Sequence, residues 1–312
     1  MVMRSLLLVV LLFWGWMDAT LNAQSVVRTT HVYAQPAGEV LELDIHRAKT
    51  ELKSAKPVVV FVHGGGFYTG TRKEDNIVHF CDSLAQAGFV AVNLQYRLFM
   101  KGRSFSCNEP KADKIKAIAT AADDIRTATN WLLDRADSLG IDPRRVFLAG
   151  SSAGAEAILH SAYATRTAQN RPVTPLPNEF RYCGLLSFAG AMLESDWMDA
   201  NSAVPTLFYH GNCDPLVPYG TAIHHYCKTD KPGAMLLHGS ATLHERLERL
   251  GVTTRLVTGC GGQHGSAVYP IEDDIALIID FMQRVMAGEH FVEHEVRKLS
   301  DKTCSYGPSP CD

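Results

Sequence analysis

Long apolar runs and clusters of like charge are scarce in this chain of 312 residues. The longest apolar stretch, residues 5–16, has about a dozen residues, whereas a helix that crosses a bilayer needs about 20. Lysine and arginine total 30 against 33 aspartates and glutamates, giving a net charge of −3 without any basic tract. These features argue against a membrane span and against binding of nucleic acid or anionic membranes. No internal repeat or low-complexity segment is found, and the sequence leaves the oligomeric state open.

The N-terminus has the organisation of a secretory signal peptide. A positive charge at Arg4 precedes the apolar run, and Leu21-Asn22-Ala23 ends in a small residue that suits cleavage. A retained anchor helix is the alternative, but the run is short for that role. We therefore expect a signal peptide over 1–23, a secreted or periplasmic protein, one large domain over 24–290 and a C-terminal tail over 291–312.

The pattern of apolar residues predicts an α/β fold. Apolar and polar residues alternate over 26–32 and 40–46, which is typical of an antiparallel hairpin at a sheet edge. Residues 58–62 are unbroken and mostly β-branched, as in a strand buried on both faces. Strand-like and helix-like segments then alternate, so we expect a mainly parallel sheet of about eight strands with helices on both faces. Ligands of such sheets bind at the carboxyl ends of the strands.

Residues 146–154 join an apolar strand to an apolar helix through the turn Gly150-Ser151-Ser152-Ala153-Gly154. In a Gly-x-Ser-x-Gly turn the serine has a strained backbone, and small neighbours let the chain pass while the hydroxyl points outward. The next residue begins a helix, so its free N–H faces whatever the hydroxyl attacks. The motif alone is common by chance, but its flanking strand and helix make Ser152 the candidate nucleophile.

A serine hydroxyl needs a base within hydrogen-bonding reach and an acid that orients the base. Asp214 follows the predicted strand 204–209 in a tight loop, and His264 lies in a glycine-rich loop after the final strand, 252–257. The order Ser, Asp, His is the one that this architecture uses. A turn-capping aspartate and a solvated loop histidine are the structural alternatives. Two aspartates after the preceding strand compete as the acid, Asp196 and Asp199.

The buried strand at 58–62 ends in His63-Gly64-Gly65-Gly66. Three glycines after a central strand let backbone N–H groups approach an anion closely. A flexible loop without chemistry is the alternative. Because this loop and Ser152 both follow strands of the same predicted sheet, we expect both at its carboxyl edge.

With these pieces in place, residues 40–286 resemble the α/β-hydrolase fold. The likeness is to serine esterases with an HGGG-type oxyanion loop, the hormone-sensitive-lipase-like and carboxylesterase group. The matching segments are His63-Gly64-Gly65-Gly66, Tyr96-Arg97-Leu98, Asp124 with Trp131-Leu132, Gly150 to Gly154, Asp214 to Pro218, and His264. The resemblance implies that Gly65, Gly66 and Ala153 donate backbone N–H groups to an oxyanion. It also implies structural support from His63 and from an Arg97–Asp124 pair.

Two departures from this group bear on specificity. The large N-terminal cap of many lipase-like members has no counterpart, and Ser151 precedes the nucleophile where that group more often has aspartate. By analogy, we expect a secreted serine esterase that acts on short-acyl esters or on acetyl and feruloyl esters of carbohydrates. The expected chemistry requires no metal or organic cofactor.

Two other classes of function stay open. A serine peptidase of the prolyl-oligopeptidase type shares the serine turn and the order of the three residues, but usually carries a large extra domain for which this chain lacks room. A catalytically inactive binding module on the same fold is the second alternative. The complete serine, aspartate and histidine set argues against that module.

Eight cysteines, all after the predicted cleavage point, are compatible with an oxidising compartment. We hypothesise a disulfide between Cys213 and Cys260, which would tie the loops of the acid and the base together. Two unrelated loop cysteines are an equal alternative, because connectivity cannot be deduced from sequence. Cys304 and Cys311 could close a short loop in the tail. Four cysteines have no assigned role, Cys81, Cys107, Cys183 and Cys227.

Two further groups of residues have both a functional and a purely structural interpretation. His224 and His225 with Cys227 could resemble a metal cluster, but no second pair stands at ligand spacing, and zinc sites need three or four ligands. A helix-face cluster is therefore expected there, and no metal site. Five side chains could line a substrate pocket or equally belong to the core, Phe67, Tyr68, Phe105, Trp197 and Leu216.

Overall fold

A computed structural model describes residues 25–49, 54–164, 174–304 and 311. Its strands are β1 (Val26–Ala34), β2 (Leu41–Ala48), β3 (Lys56–Val62), β4 (Val90–Leu94), β5 (Ile141–Ser151), β6 (Gly184–Phe188), β7 (Ala191–Met192), β8 (Thr206–Gly211), β9 (Thr221–Ile223), β10 (Leu236–Gly239), β11 (Thr254–Cys260) and β12 (Val292–Lys298). Its α-helices are α1 (Asp75–Gln86), α2 (Lys111–Leu133), α3 (Ala136–Leu139), α4 (Ala153–Tyr163), α5 (Ser240–Arg249), α6 (Tyr269–Glu272) and α7 (Ile275–Met286). The signal peptide expected over 1–23 lies outside the described residues.

The nine-stranded central sheet has the order β1-β2-β4-β3-β5-β6-β8-β11-β12. Strands β1, β2 and β4 pair antiparallel, and every later neighbour pairs parallel. The predicted edge hairpin is thus present, and the predicted mainly parallel sheet is confirmed. A separate antiparallel sheet has the order β7-β10-β9.

Helices cover both faces of the central sheet, as the continuous apolar strands require. On one face, Ile118 of α2 and Ile158 of α4 belong to one apolar cluster with side chains of β3 and β5. On the other face, Phe80 of α1 and Phe281 of α7 belong to a second cluster with the alternate side chains of these strands. Among the described helices, none is long and apolar enough to cross a membrane.

The ninth strand lies in the segment that we expected to be a C-terminal tail. Strand β12 pairs with β11 from Thr254–Val292 to Cys260–Lys298. Its residues alternate between exposed and half-buried, so it lacks the apolar pattern by which the other parallel strands are recognised. Ladder hydrogen bonds and the ion pair between Arg255 and Glu295 hold it instead. The central sheet therefore includes residues beyond 290.

Candidate active site

Ser152 occupies the tight turn between β5 and α4. Its backbone has φ 53° and ψ −122°, a strained conformation for a residue other than glycine. A Cβ on Gly154 would lie 2.0 Å from the carbonyl oxygen of Val62, and one on Gly150 would lie 2.6 Å from Gly154 backbone atoms. The Ser152 N–H donates to the carbonyl of Phe188 at 2.8 Å. Glycines on both sides are therefore required, and the neighbouring strands hold the strained serine.

Ser152, His264 and Asp214 form one hydrogen-bonded chain. Ser152 Oγ lies 2.7 Å from His264 Nε2, and His264 Nδ1 lies 2.7 Å from Asp214 Oδ2. A carboxylate can only accept, so His264 Nδ1 carries the proton and Nε2 is left to accept from the serine. The Asp214 side chain is fully buried, whereas that of His264 is 23% exposed. The sequence thus predicted three side chains that the fold brings together from the ends of β5, β8 and β11.

Charge within this chain shifts both titrating groups. Burial by itself would lower the pKa of His264, but the hydrogen bond to Asp214 and its negative charge raise it above the ordinary value. Burial by itself would raise the pKa of Asp214, but hydrogen bonds from His210 and His264 hold it well below its usual range. Asp214 is consequently a carboxylate at neutral pH, suited to orient and stabilise a protonated His264.

Neither competing acid approaches the serine turn. Asp196 is 88% exposed and pairs with Arg246 at 3.6 Å. Asp199 accepts from the backbone N–H groups of Asn201 and Ser202, both at 2.8 Å, and so closes a surface turn. Their roles are local, which leaves Asp214 as the acid in contact with His264.

The glycine loop after β3 lies against the serine turn. A Cβ on Gly64 would be 3.1 Å from Ser151 O and 3.3 Å from Ser152 Cβ. Gly65 has φ 106°, and its carbonyl accepts from the N–H groups of Tyr68 and Thr69 at 3.2 and 3.0 Å. The loop is therefore a tight turn, and not the flexible segment that was the alternative.

Of the supporting residues named from the sequence, Arg97 and Asp124 pair with each other, and His63 packs on Tyr96. Arg97 Nε lies 2.9 Å from Asp124 Oδ1, and the Arg97 N–H donates to Asp124 Oδ2 at 2.8 Å. His63 stacks on Tyr96 with ring centroids 4.5 Å apart, and Tyr96 Oη donates to the His63 carbonyl at 3.0 Å. Burial lowers the pKa of His63 to about 4, so this imidazole is neutral. Tyr96 thus holds the start of the glycine loop, and Arg97, which pairs with Asp124, follows Tyr96 directly in the chain.

The predicted disulfide between Cys213 and Cys260 is wrong, and so is a closed loop between Cys304 and Cys311. Each loop cysteine is instead bonded to one tail cysteine, in the pairs Cys213–Cys304 and Cys260–Cys311. Strand β12 runs parallel to β11 and ends beside Cys260, which brings the residues directly after it next to both loops. A third disulfide joins Cys107 to Cys227, and the free thiols of the described residues are Cys81 and Cys183.

The five candidate wall residues divide between core and surface. Phe67 and Phe105 are buried, with ring centroids 5.0 Å apart, so both belong to the packed interior. Tyr68 is 40% exposed next to the glycine loop, and Leu216 is 39% exposed with its N–H on Asp214 Oδ1. Trp197 is half-buried and packs on His160. Tyr68, next to the glycine loop, and Leu216, next to the acid, therefore remain as the exposed apolar candidates.

The histidine pair beside Cys227 is not a metal cluster. His224 Nε2 lies 3.1 Å from Glu156 Oε1, and Cys227 is in a disulfide. His224 and His225 lie in a short 3-10 turn with His225 at φ 56°, so the expected helix face is absent as well. Across the described part of the chain, no group of three or more histidine, cysteine, aspartate or glutamate side chains is arranged to hold a metal ion.

Sequence reasoning missed His210, a second histidine in contact with the acid. It is fully buried at the end of β8, and its Nε2 lies 3.2 Å from Asp214 Oδ2. The available signal was a histidine four residues before the acid, at the end of an apolar strand. That position predicts burial, but the contact depends on how the loop turns back.

Comparison with known proteins finds esterases among the similar sequences. A family model described as BD-FAE matches residues 43–176. Esterase B1 of Culex pipiens is 31% identical over 118 residues, which cover 38% of this chain and 21% of that protein. Ethyl acetate hydrolase of Pseudomonas putida is 25% identical over 272 residues, 74% of each chain. The chain thus spans about a fifth of the first relative and about three quarters of the second.

Solved structures show the same fold. Thermogutta terrifontis esterase 2, phosphorylated by paraoxon, superposes with a TM-score of 0.60 at 19% identity. The match covers 84% of this chain and 94% of that one. The chain therefore has the α/β-hydrolase fold, and its relatives and structural neighbours include proteins named as esterases and hydrolases.

Proposed function

We propose that this protein is a carboxylic ester hydrolase that works through an acyl-enzyme formed on Ser152. The observation that carries the proposal is the chain of two 2.7 Å contacts from Ser152 Oγ through His264 to Asp214. A nucleophile, a base and an orienting acid in this geometry can split ester hydrolysis into acylation and deacylation.

In the first half-reaction, Ser152 Oγ attacks the ester carbonyl carbon while His264 Nε2 takes the hydroxyl proton. Collapse of the tetrahedral intermediate breaks the bond to the alcohol oxygen, and His264 returns the proton to that leaving oxygen. In the second half-reaction, His264 takes a proton from water as the water oxygen attacks the acyl carbon. The bond between that carbon and Ser152 Oγ then breaks, His264 returns the proton to Oγ, and the carboxylic acid is released. Asp214 keeps the proton on Nδ1 and stabilises the imidazolium in both halves.

We propose that backbone N–H groups of Gly65, Gly66 and Ala153 hold the oxyanion. The glycine loop lies against Ser152, and Ala153 is the first residue of α4, whose N-terminal N–H groups favour negative charge. Loss of one such donor costs about 3–4 kcal/mol in comparable sites.

The proposed substrates are short-acyl esters, or acetyl and feruloyl esters of carbohydrates. Support comes from Ser151 before the nucleophile and from the exposed Tyr68 and Leu216, whose apolar surfaces could contact an aromatic or sugar ring. We also propose export to an oxidising compartment, which the predicted signal peptide and three disulfides support.

The test compares wild type, Ser152→Ala and Ser161→Ala on one substrate panel. The panel contains p-nitrophenyl acetate, a long-chain p-nitrophenyl ester, methyl ferulate, acetylated xylan and a dipeptide anilide. Ser161 is a buried serine of the same helix and serves as the matched control. We expect hydrolysis of acetyl or feruloyl esters that Ser152→Ala abolishes and Ser161→Ala retains.

Two outcomes would replace the proposal. Cleavage of the anilide without ester hydrolysis would identify a peptidase. A folded wild-type protein that turns over no substrate and resists an active-site phosphonate would be a binding module.

A further inference from the structure

His210 makes three polar contacts from a fully buried position. Its Nε2 lies 3.2 Å from Asp214 Oδ2 and 3.2 Å from the carbonyl oxygen of Val217. Both partners are acceptors, so Nε2 carries a proton. Its Nδ1 lies 2.8 Å from Oγ of Ser240, which is 3.3 Å from the carbonyl of Gly190. Ser240 has one hydroxyl hydrogen and donates it either to Nδ1 or to the Gly190 carbonyl, and in both arrangements His210 donates through Nε2.

Asp214 Oδ2 is consequently shared by two imidazoles, His264 at 2.7 Å and His210 at 3.2 Å. The other oxygen, Oδ1, accepts from the N–H groups of Leu216 and Val217 at 2.8 and 3.0 Å. These two backbone donors hold the carboxylate in place without help from His210. We therefore expect removal of His210 to change how strongly the Asp214 carboxylate stabilises protonated His264. The orientation of Asp214 should change less.

We infer that His210 is a positioning residue that limits the basicity of His264 by sharing Oδ2 of Asp214, and so sets the pH at which the enzyme becomes active. The inference rests on the proposed function. An oxygen that already accepts one hydrogen bond is a weaker partner for a second donor, so the His210 N–H makes protonation of His264 less favourable.

Other groups near His210 and His264 influence these two imidazoles through electrostatics or packing. The Tyr219 ring lies 5.7 Å from that of His210. The charge of Glu156 favours protonated His264, and His225 interacts with His264 electrostatically. All three are retained in the variants below, so a change in the titration of His264 reports on His210.

The experiment measures the pH dependence of kcat/KM for p-nitrophenyl acetate in wild type, His210→Asn and His210→Gln. An asparagine amide reaches the position of Nδ1 but not Asp214, whereas a glutamine amide can donate from the position of Nε2. We expect the acidic limb of His210→Asn to move upward by about 0.5–1 pH unit, and that of His210→Gln to return towards wild type. His244→Asn is the control, since His244 is a buried histidine of α5 that bonds Thr254 Oγ1 at 2.9 Å.

An acidic limb that stays in place in His210→Asn would overturn the inference, even if activity falls, because a purely structural role predicts that result. If His210→Asn does not fold, nitrogen-15 NMR of wild type decides: the inference requires a proton on His210 Nε2, and an unprotonated Nε2 overturns it. Titration of His264 by the same NMR needs no turnover. An inactive wild type would therefore refute the proposed function while His210 is still tested.

Discussion

Cys213, the residue before Asp214, is disulfide-bonded to Cys304 in the C-terminal segment. A second disulfide joins the end of β11 to the same segment, through Cys260 and Cys311. The N–H groups of Leu299 and Ser300 also donate to the Cys260 carbonyl, at 2.9 and 3.1 Å. The loops of the proposed acid and base come from different strands, and one covalently attached segment holds them both.

Removal of the first of these disulfides should loosen the acid loop. In a Cys213→Ala, Cys304→Ala double variant, we expect the free energy of unfolding to fall by about 2–4 kcal/mol. We also expect kcat to fall, because Asp214 would no longer be held against His264. Urea unfolding and ester kinetics measure the two effects.

Cys183→Ala is the control for this double variant, since Cys183 is a free thiol of the described chain, half-buried just before β6. Wild-type stability and kcat in the double variant would show that the tail does not hold the acid loop.

Gly154→Ala should destroy the serine turn. The added methyl would lie 2.0 Å from Val62 O and 2.7 Å from His63 O, both backbone atoms that move only with β3 and the glycine loop. Overpacking of a well-packed core costs about 1–3 kcal/mol, and a backbone clash of this size should reach or exceed that upper value. Thermal unfolding and kcat measure the loss.

Gly220→Ala is the matched substitution, because a Cβ there meets nothing within 4 Å. It should behave as wild type. Equal stability and activity in the two alanine variants would contradict the tight passage of Gly154 past β3.

The acid–base pair predicts how activity depends on pH. His264 must be neutral to accept the serine proton, and its raised pKa places the acidic limb of kcat/KM above the ordinary histidine value of about 6.5. In Asp214→Asn, we expect kcat to fall by about 10⁴. Burial would then act on His264 without the opposing carboxylate, so the acidic limb of the residual activity should move to lower pH.

Stability should respond to Asp214 as well. Its pKa is depressed in the folded state, so its stabilising contribution is present above the unfolded value of about 3.9 and is lost as pH falls through the folded value. Acid unfolding of Asp214→Asn should lack this component, whereas that of Asp230→Asn, an exposed control, should retain it. If Asp214→Asn has the acid-unfolding curve and the acidic limb of wild type, the electrostatic coupling between Asp214 and His264 is disproved.

Local patterns were sufficient to predict the mainly parallel sheet and the strand ends that carry Ser152, Asp214 and His264. Buried parallel strands are recognised as continuous apolar runs. Glycine is required at positions 150 and 154 because the neighbouring backbone leaves no room for a side chain in this turn. The esterase prediction came from the resemblance that these residues support, and their catalytic roles stay predictions.

Contacts between distant segments could not be predicted in this way. Strand β12 has no apolar alternation because it is an edge strand held by backbone pairing and ion pairs. The disulfides were paired wrongly because the partners depend on where the tail runs after that strand, which spacing does not encode. His210 was overlooked for a related reason, since its contact with Asp214 arises from the fold of the loop that follows β8.

By itself, the sequence thus determined which residues end the buried strands, because burial and turn geometry are local demands on residue type. The tertiary structure decided which of those residues touch. The sharing of Asp214 between two histidines, and the attachment of both loops to one tail, exist only once β8, β11 and β12 lie side by side.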